Sequence, residues 1–191
     1  MATAPTKLMT VDEFWDFVHR AENRDRRFEL VRGEVMEMSL PGKLHGFVCC
    51  NIAALLFLFA RQRKKGYVCS NDTGFIVERD PDSIRGPDIM FFEDADSVEQ
   101  IDRKWGSTPP RLSVEVLSPN DSMTEMNERI AQQLKAGTPL LWLVDPVAHK
   151  VTVYRPDKRH YVLREGDEIT GEDVLPDLRV NIADFFKLPG Q

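Results

Sequence analysis

The stretch from 111 to 145 constrains the fold more than any other part of the chain. "RLSVEVL" (111–117) and "PLLWLVD" (139–145) are short, largely apolar runs, and "MTEMNERIAQQLKAG" (123–137) between them reads as a helix ending at a glycine. Such a unit predicts two neighbouring parallel strands joined by a right-handed crossover, with the helix covering one face of the sheet. In the first strand, Leu112, Val114 and Val116 would point to one face and Ser113, Glu115 and Leu117 to the other. Both faces carry apolar residues, so the strand is expected to be covered on both sides. Glu115 then becomes a question, because an unpaired buried carboxylate costs several kcal/mol or more. It must be neutralised, paired or bound to a metal.

The remaining segments suit a mixed sheet flanked by helices, an α/β (α+β) class. "TVDEFWDFVHRA" (10–21) opens with a capping box, Thr10 and Glu13, and carries Val11, Phe14, Trp15 and Val18 at helical spacing. "RFELVRGEVMEM" (27–38) reads as a β-hairpin turning at Arg32-Gly33. A long helix is predicted from about Leu44 to Lys65, with basic side chains in its last turn and Gly66 as its stop. Strands follow at 67–70, 74–78 and 88–92, an antiparallel meander at 150–155 and 160–166, and a last helical turn at 181–186. No repeat or low-complexity linker divides the 191 residues, so the expectation is one domain over 1–191, with its core over 8–186.

Composition narrows the function classes. The 42% hydrophobic and 29% charged fractions are those of a globular chain rather than a disordered one. The longest apolar run, "IAALLFLFA" (52–60), is too short to span a bilayer, and "MATAPTKLMTVDEF" lacks the apolar segment of a secretory signal. Three cysteines, two of them adjacent (Cys49, Cys50), form neither a disulfide framework nor a zinc motif, which suits a reduced, cytoplasmic setting. A net charge of −6 argues against broad coating of nucleic acid but leaves room for a small acidic site balanced by a metal.

Three acids lie in predicted strands or at their ends: Glu29 in "FELVRGE", Asp88 in "RGPDIMFF" and Glu115 in "LSVEVLSP". Asp88, after Pro87, would open its strand and could meet Glu115 on a neighbouring one. Two carboxylates at that distance raise each other's pKa unless a partner intervenes. A hard cation such as magnesium, which takes one or two carboxylates and keeps several waters, relieves this and suits phosphodiester chemistry.

With these residues in order, the sequence resembles the Uma-two endonuclease-like family of the restriction-endonuclease-like PD-(D/E)XK superfamily. The resemblance is carried by "FELVRGEVMEMS", a histidine at 45, "GPDIMFF", "SVEVLSPND", a helix ending "AGT", and "LLWLVDPVAHKVTVYR". It implies a restriction-endonuclease-like mixed β-sheet core flanked by helices, and magnesium- or manganese-dependent cleavage of nucleic acid, taken here as an endonuclease acting on DNA. Mapped residue by residue, it places the metal on Asp88 and Glu115 with the backbone carbonyl of Val116, adds Glu29 as a further acid, and makes His45 an accessory. The usual lysine, two residues after the second acid, is Leu117 here. In this family it often moves to the following helix, where the matching residue is Arg129, which keeps the charge but cannot lose a proton. A homodimer is a further expectation, since nucleases that cut both strands often pair.

Plainer readings stand beside these. Glu115 could form a buried ion pair with Arg129. Glu29 could be a solvated hairpin residue, since Phe28 and Leu30 define a face that excludes it. His45 and Cys49, one helical turn apart, could be metal ligands, although Cys49 more simply belongs to the core. Asp145 reads as a turn former, and Arg61, Arg63, Lys64 and Lys65 as a solvated helix end. Phe91-Phe92 and Phe185-Phe186 read as core or interface. The competing function is a catalytically inactive nuclease-fold binding or assembly module. A small-molecule hydrolase finds no glycine-rich phosphate loop to support it.

Overall fold

The computed structural model describes residues 8–119, 121–188 and 190; Asn120 of the "SPND" motif lies outside them. In chain order the elements are α1 (Val11–Val18), β1 (Arg27–Val31), β2 (Glu34–Met38), α2 (Lys43–Arg63), β3 (Tyr67–Ser70), β4 (Phe75–Glu78), β5 (Ser83–Arg85) and β6 (Ile89–Phe92). They continue with β7 (Leu112–Val116), α3 (Met123–Lys135), β8 (Leu141–Asp145), β9 (Lys150–Arg155), β10 (Lys158–Arg164), β11 (Glu168–Gly171) and β12 (Leu175–Asn181), with short 3₁₀ turns between and a last one over Ile182–Phe185.

The strands form three sheets. A six-stranded sheet has the order β10-β9-β8-β7-β6-β3, a four-stranded one β2-β1-β5-β4, and β11 pairs with β12. The β7–β8 pair is parallel, as the strand–helix–strand reading requires, and the other described pairs are antiparallel. All five residues of β7 are buried. On one side Leu112, Val114 and Val116 pack with Val48, Ile52 and Leu56 of α2. On the opposite side Leu141 and Leu143 of the neighbouring β8 pack with Met126 and Ile130 of α3. Glu115 therefore lies under α3, with almost no access to solvent.

Local chemistry explains most element ends. Thr10 Oγ1 accepts the Glu13 N–H at 3.3 Å while the Thr10 N–H donates to Glu13 Oε2 at 3.0 Å, closing the capping box of α1. Arg32 and Gly33 both have positive φ, the signature of a tight hairpin turn, and a Cβ on Gly33 would come within 2.6 Å of Leu8 Cβ. Helix α2 stops at Arg63, slightly before the expected glycine, with Lys64 in the left-handed conformation as its cap. Among the described residues α2 is the one helix long and apolar enough to cross a membrane, yet its Val48–Ile52–Leu56–Phe59 line is built into the core against the sheet.

The structure adds three strands that the sequence reading left out. Strand β5 hides among turn-forming residues in "DPDSIRGPD", while β11 and β12 are interrupted by glycine and proline. One expectation is corrected: Asp88 stands just before β6 rather than opening it. Phe91, Phe92 and Phe185 are buried and Phe186 packs against the main cluster, so of the two readings offered for these aromatic pairs the core one holds.

Trp142 of β8 is fully buried and packs near Phe185. Trp142→Ala is expected to lower stability by about 3–5 kcal/mol, read as a shifted denaturation midpoint at unchanged m-value.

Candidate functional site

A cleft of about 320 Å³ opens where the two larger sheets meet α2 and α3, and Glu29, His45, Asp88, Glu115, Val116 and Arg129 all line it. These side chains come from β1, α2, the link before β6, β7 and α3. Antiparallel pairing of β6 with β7 sets Ile89 opposite Val114, so one further step brings Asp88 beside Glu115. Asp88 Oδ2 accepts the Val116 N–H at 2.7 Å, fixing the carboxylate to the strand that carries Glu115. Its Oδ1 lies 3.2 Å from His45 Nε2.

Arg129 is the centre of the network. Its Nε donates to Glu115 Oε1 at 2.7 Å, Nη1 to Glu29 Oε2 at 2.8 Å, and Nη2 to the Gly86 carbonyl at 2.7 Å. Glu115 Oε1 also accepts from Gln133 Nε2 at 2.5 Å, and Gln133 in turn accepts from Ser113 Oγ at 2.5 Å. Glu29 accepts from Arg85 Nη1 at 2.9 Å and from the Gly86 N–H at 2.7 Å. Arg85 Nε is held by Gln132 at 2.8 Å. The ion pair of Glu115 with Arg129 offered by the sequence is therefore present. The solvated reading of Glu29 is overturned: it is 4% exposed, because β1 is flanked by β2 and β5 and two arginines close over its carboxylate.

Burial is the largest influence on Glu115, pushing its pKa up to about 7; Arg129 pulls it down, while Asp88 and Glu29 push it further up. Burial works against the Arg129 charge, but Glu115 and Glu29 outweigh it and hold the guanidinium above its ordinary pKa. For His45, burial opposes protonation, yet the Asp88 hydrogen bond and charge prevail and raise its pKa. Burial, reinforced by Asp88, likewise raises the Cys49 thiol. Asp72, which also lines the cleft, is raised by burial and by Asp88, and lowered by its ion-pair partner Arg27.

Asp88 and Glu115 fit a hard divalent ion by the chemistry of their donors. Both are carboxylates on one cleft, and among the described residues the hydrogen bonds accepted by Glu115 fall on Oε1, leaving Oε2 uncommitted. Both oxygens of Glu29 face arginines and a backbone amide, which ties its carboxylate to Arg85, Arg129 and Gly86. Arg85, Gly86, Gln132 and Gln133 escaped the sequence reading. "SIRGPD" holds a signal only in hindsight of β5, whereas Gln133, four residues after Arg129, shares its helix face. Gly86 allows a close backbone approach, since a Cβ there would meet the Asp72 carbonyl oxygen at 2.6 Å.

The fold and the acid cleft define a nuclease-like α+β protein of the restriction-endonuclease class. The sequence matches the Uma2 family, described as "Putative restriction endonuclease", over residues 12–183, and the chain belongs to that family. Among solved structures it is similar to the crystal structure of "a putative nuclease belonging to DUF820" from Anabaena variabilis. That likeness has a TM-score of 0.77 at 22% identity, over 93% of this chain and 97% of the other, and it concerns the fold. No curated protein matches the sequence.

Two outcomes follow from the network. In metal-free protein, the folded state keeps the Glu115 proton to about pH 7, whereas an ordinary carboxyl, at 4.5, gives it up earlier. The folded chain then binds more protons across that window, so this group's stabilising contribution is complete below about pH 4.5 and falls as pH rises to about 7. Melting temperature against pH should show this slope, and Glu115→Gln should flatten it. Arg129→Met leaves Glu29 and Glu115 buried without their shared partner and should cost roughly 3–5 kcal/mol, with part recovered on adding Glu115→Gln.

Proposed function

We propose that this protein is a divalent-metal-dependent endonuclease that hydrolyses phosphodiester bonds of DNA. The carrying observation is that six residues of the family pattern, brought from five separate segments of the chain, line one cleft. Asp88 and Glu115 would hold magnesium or manganese, with the Val116 carbonyl as the family resemblance implies. Bound there, the ion would act as a Lewis acid on a phosphate oxygen and lower the pKa of a water.

The chain's own residues supply the rest. Arg129 fixes the Glu115 carboxylate and lends positive charge to a site that would otherwise hold three acids, and its three guanidinium nitrogens are already engaged. It is therefore a positioning residue and takes no part in proton transfer. Glu29, Arg85 and Gln132 hold it from behind. His45, anchored by Asp88 and shifted toward its charged form, is the group suited to hold or pass a proton at the cleft or to contact a phosphate. Arg26 and Arg27 also line the cleft wall, each in an ion pair, with Glu37 and Asp72 respectively.

The second reading, an inactive nuclease-fold binding module, draws on Arg129 itself. A guanidinium on Glu115 already offsets the charge that a metal would offset. The two readings separate in one experiment. The nuclease is expected to nick or linearise supercoiled DNA with Mg²⁺ or Mn²⁺, and to gain melting temperature with the ion as RT ln(1 + [L]/Kd). Asp88→Asn and Glu115→Gln should each lower cleavage about 100-fold or more and abolish the ion's thermal shift. Absent cleavage and absent thermal shift in the wild type would leave the binding module.

A further inference from the structure

Helix α2 places His45 and Cys49 one turn apart on the face that meets Asp88, and one donor atom from each of the three lies within 4.8 Å of the others. Cys49 Sγ is 3.5 Å from His45 Nδ1, and Asp88 Oδ1 is 3.2 Å from His45 Nε2. All three residues are partly buried, and Cys49 also packs against the main core cluster. The two short contacts run to opposite nitrogens of one imidazole, so a single ring nitrogen would serve as the ligand; metal bonds of about 2.0–2.3 Å separate neighbouring donor atoms by about 3–4 Å, a spacing that three donors within 4.8 Å of one another reach by small side-chain rotations. Their chemistry differs from that of the Asp88–Glu115 pair. A thiolate and an imidazole beside one carboxylate favour a borderline-soft ion, whereas magnesium prefers oxygen alone.

We infer that His45, Cys49 and Asp88 form a second cation site that takes a borderline-soft divalent ion of the Zn²⁺ or Co²⁺ type, with water completing its coordination. Binding replaces the S–H bond of Cys49 with a sulfur–metal bond and releases the proton to solvent. No redox step is involved. Asp88 belongs to both donor sets, with Oδ1 toward His45 and Oδ2 toward β7, and occupation of this site withdraws His45 from the cleft. Under the nuclease reading, zinc is thus an inhibitor that acts without touching DNA. Ion binding itself does not depend on that reading, since it is measured without substrate.

The test uses Co²⁺ as the probe ion, whose thiolate complexes absorb in the near ultraviolet. The wild-type chain and a Cys50→Ser/Cys69→Ser variant, in which Cys49 is the remaining thiol, should develop this charge-transfer band to one ion per chain. Zn²⁺ should bleach it and excess Mg²⁺ should not. Cys49→Ser should lose the band, and His45→Gln should weaken binding about tenfold or more. In the unsubstituted protein, Zn²⁺ should slow alkylation of Cys49, followed by peptide mass spectrometry, and leave the exposed Cys50 unprotected. A band that is absent from the Cys50→Ser/Cys69→Ser variant, a band that survives in folded Cys49→Ser, or alkylation of Cys49 indifferent to Zn²⁺ would each overturn the proposal. Failure of DNA cleavage alongside an intact cobalt band would count against the nuclease and not against this site.

Discussion

The Arg129 guanidinium is the interaction on which the site rests. Two glutamates, one from each of the larger sheets, are buried where an unpaired carboxylate would be strongly unfavourable. One planar cation answers both, and its third edge takes the Gly86 carbonyl. Arginine suits this place because its donors form a fixed fork, so a single side chain can tie α3 to β1, to β7 and to the link before β6. A lysine, with one nitrogen on a flexible stem, would not span the three acceptors in the same way.

That arrangement redistributes the chemistry expected of a PD-(D/E)XK site. In the proposed reaction Arg129, with its nitrogens occupied, contributes geometry and charge, and His45 beside Asp88 is the group assigned to exchange a proton. Glu29, which the family pattern counts among the acids, is a brace whose oxygens face Arg85, Arg129 and a backbone amide. In the proposed site the acids assigned to the ion are Asp88 and Glu115. The proposed reaction thus divides labour between a rigid ion-pair scaffold and a small mouth formed by Asp88, Glu115 and His45.

Asp88 is also the point where two kinds of donor set meet. Toward β7 it adjoins a carboxylate in a setting suited to hard ions; toward α2 it adjoins an imidazole and a thiol suited to softer ones. In the proposed scheme Asp88 serves both sides, with Oδ1 toward His45 and Oδ2 toward β7, where it accepts the Val116 N–H.

Sequence periodicity by itself determined the parallel β7–α3–β8 unit, the capped first helix, the hairpin and the long α2, because each is set by local alternation, capping and turn chemistry. It also determined that Glu115 needs a partner, since apolar neighbours on both faces of β7 dictate burial. The family pattern supplied Asp88, Arg129 and Glu29, but the burial of Glu29 was beyond local reading: alternation along β1 points to Phe28 and Leu30, and the covering comes from the end of β5, Gly86 and α3, 56 to 100 residues away in sequence. Strand β5 carries too few residues, among too many turn formers, to announce itself. Tertiary structure alone decided that Arg129 serves two acids, that Arg85, Gly86 and Gln133 complete the network, and that Cys49 stands beside Asp88. Those are contacts between segments whose proximity is fixed by packing of sheets and helices, and no spacing along the chain encodes them.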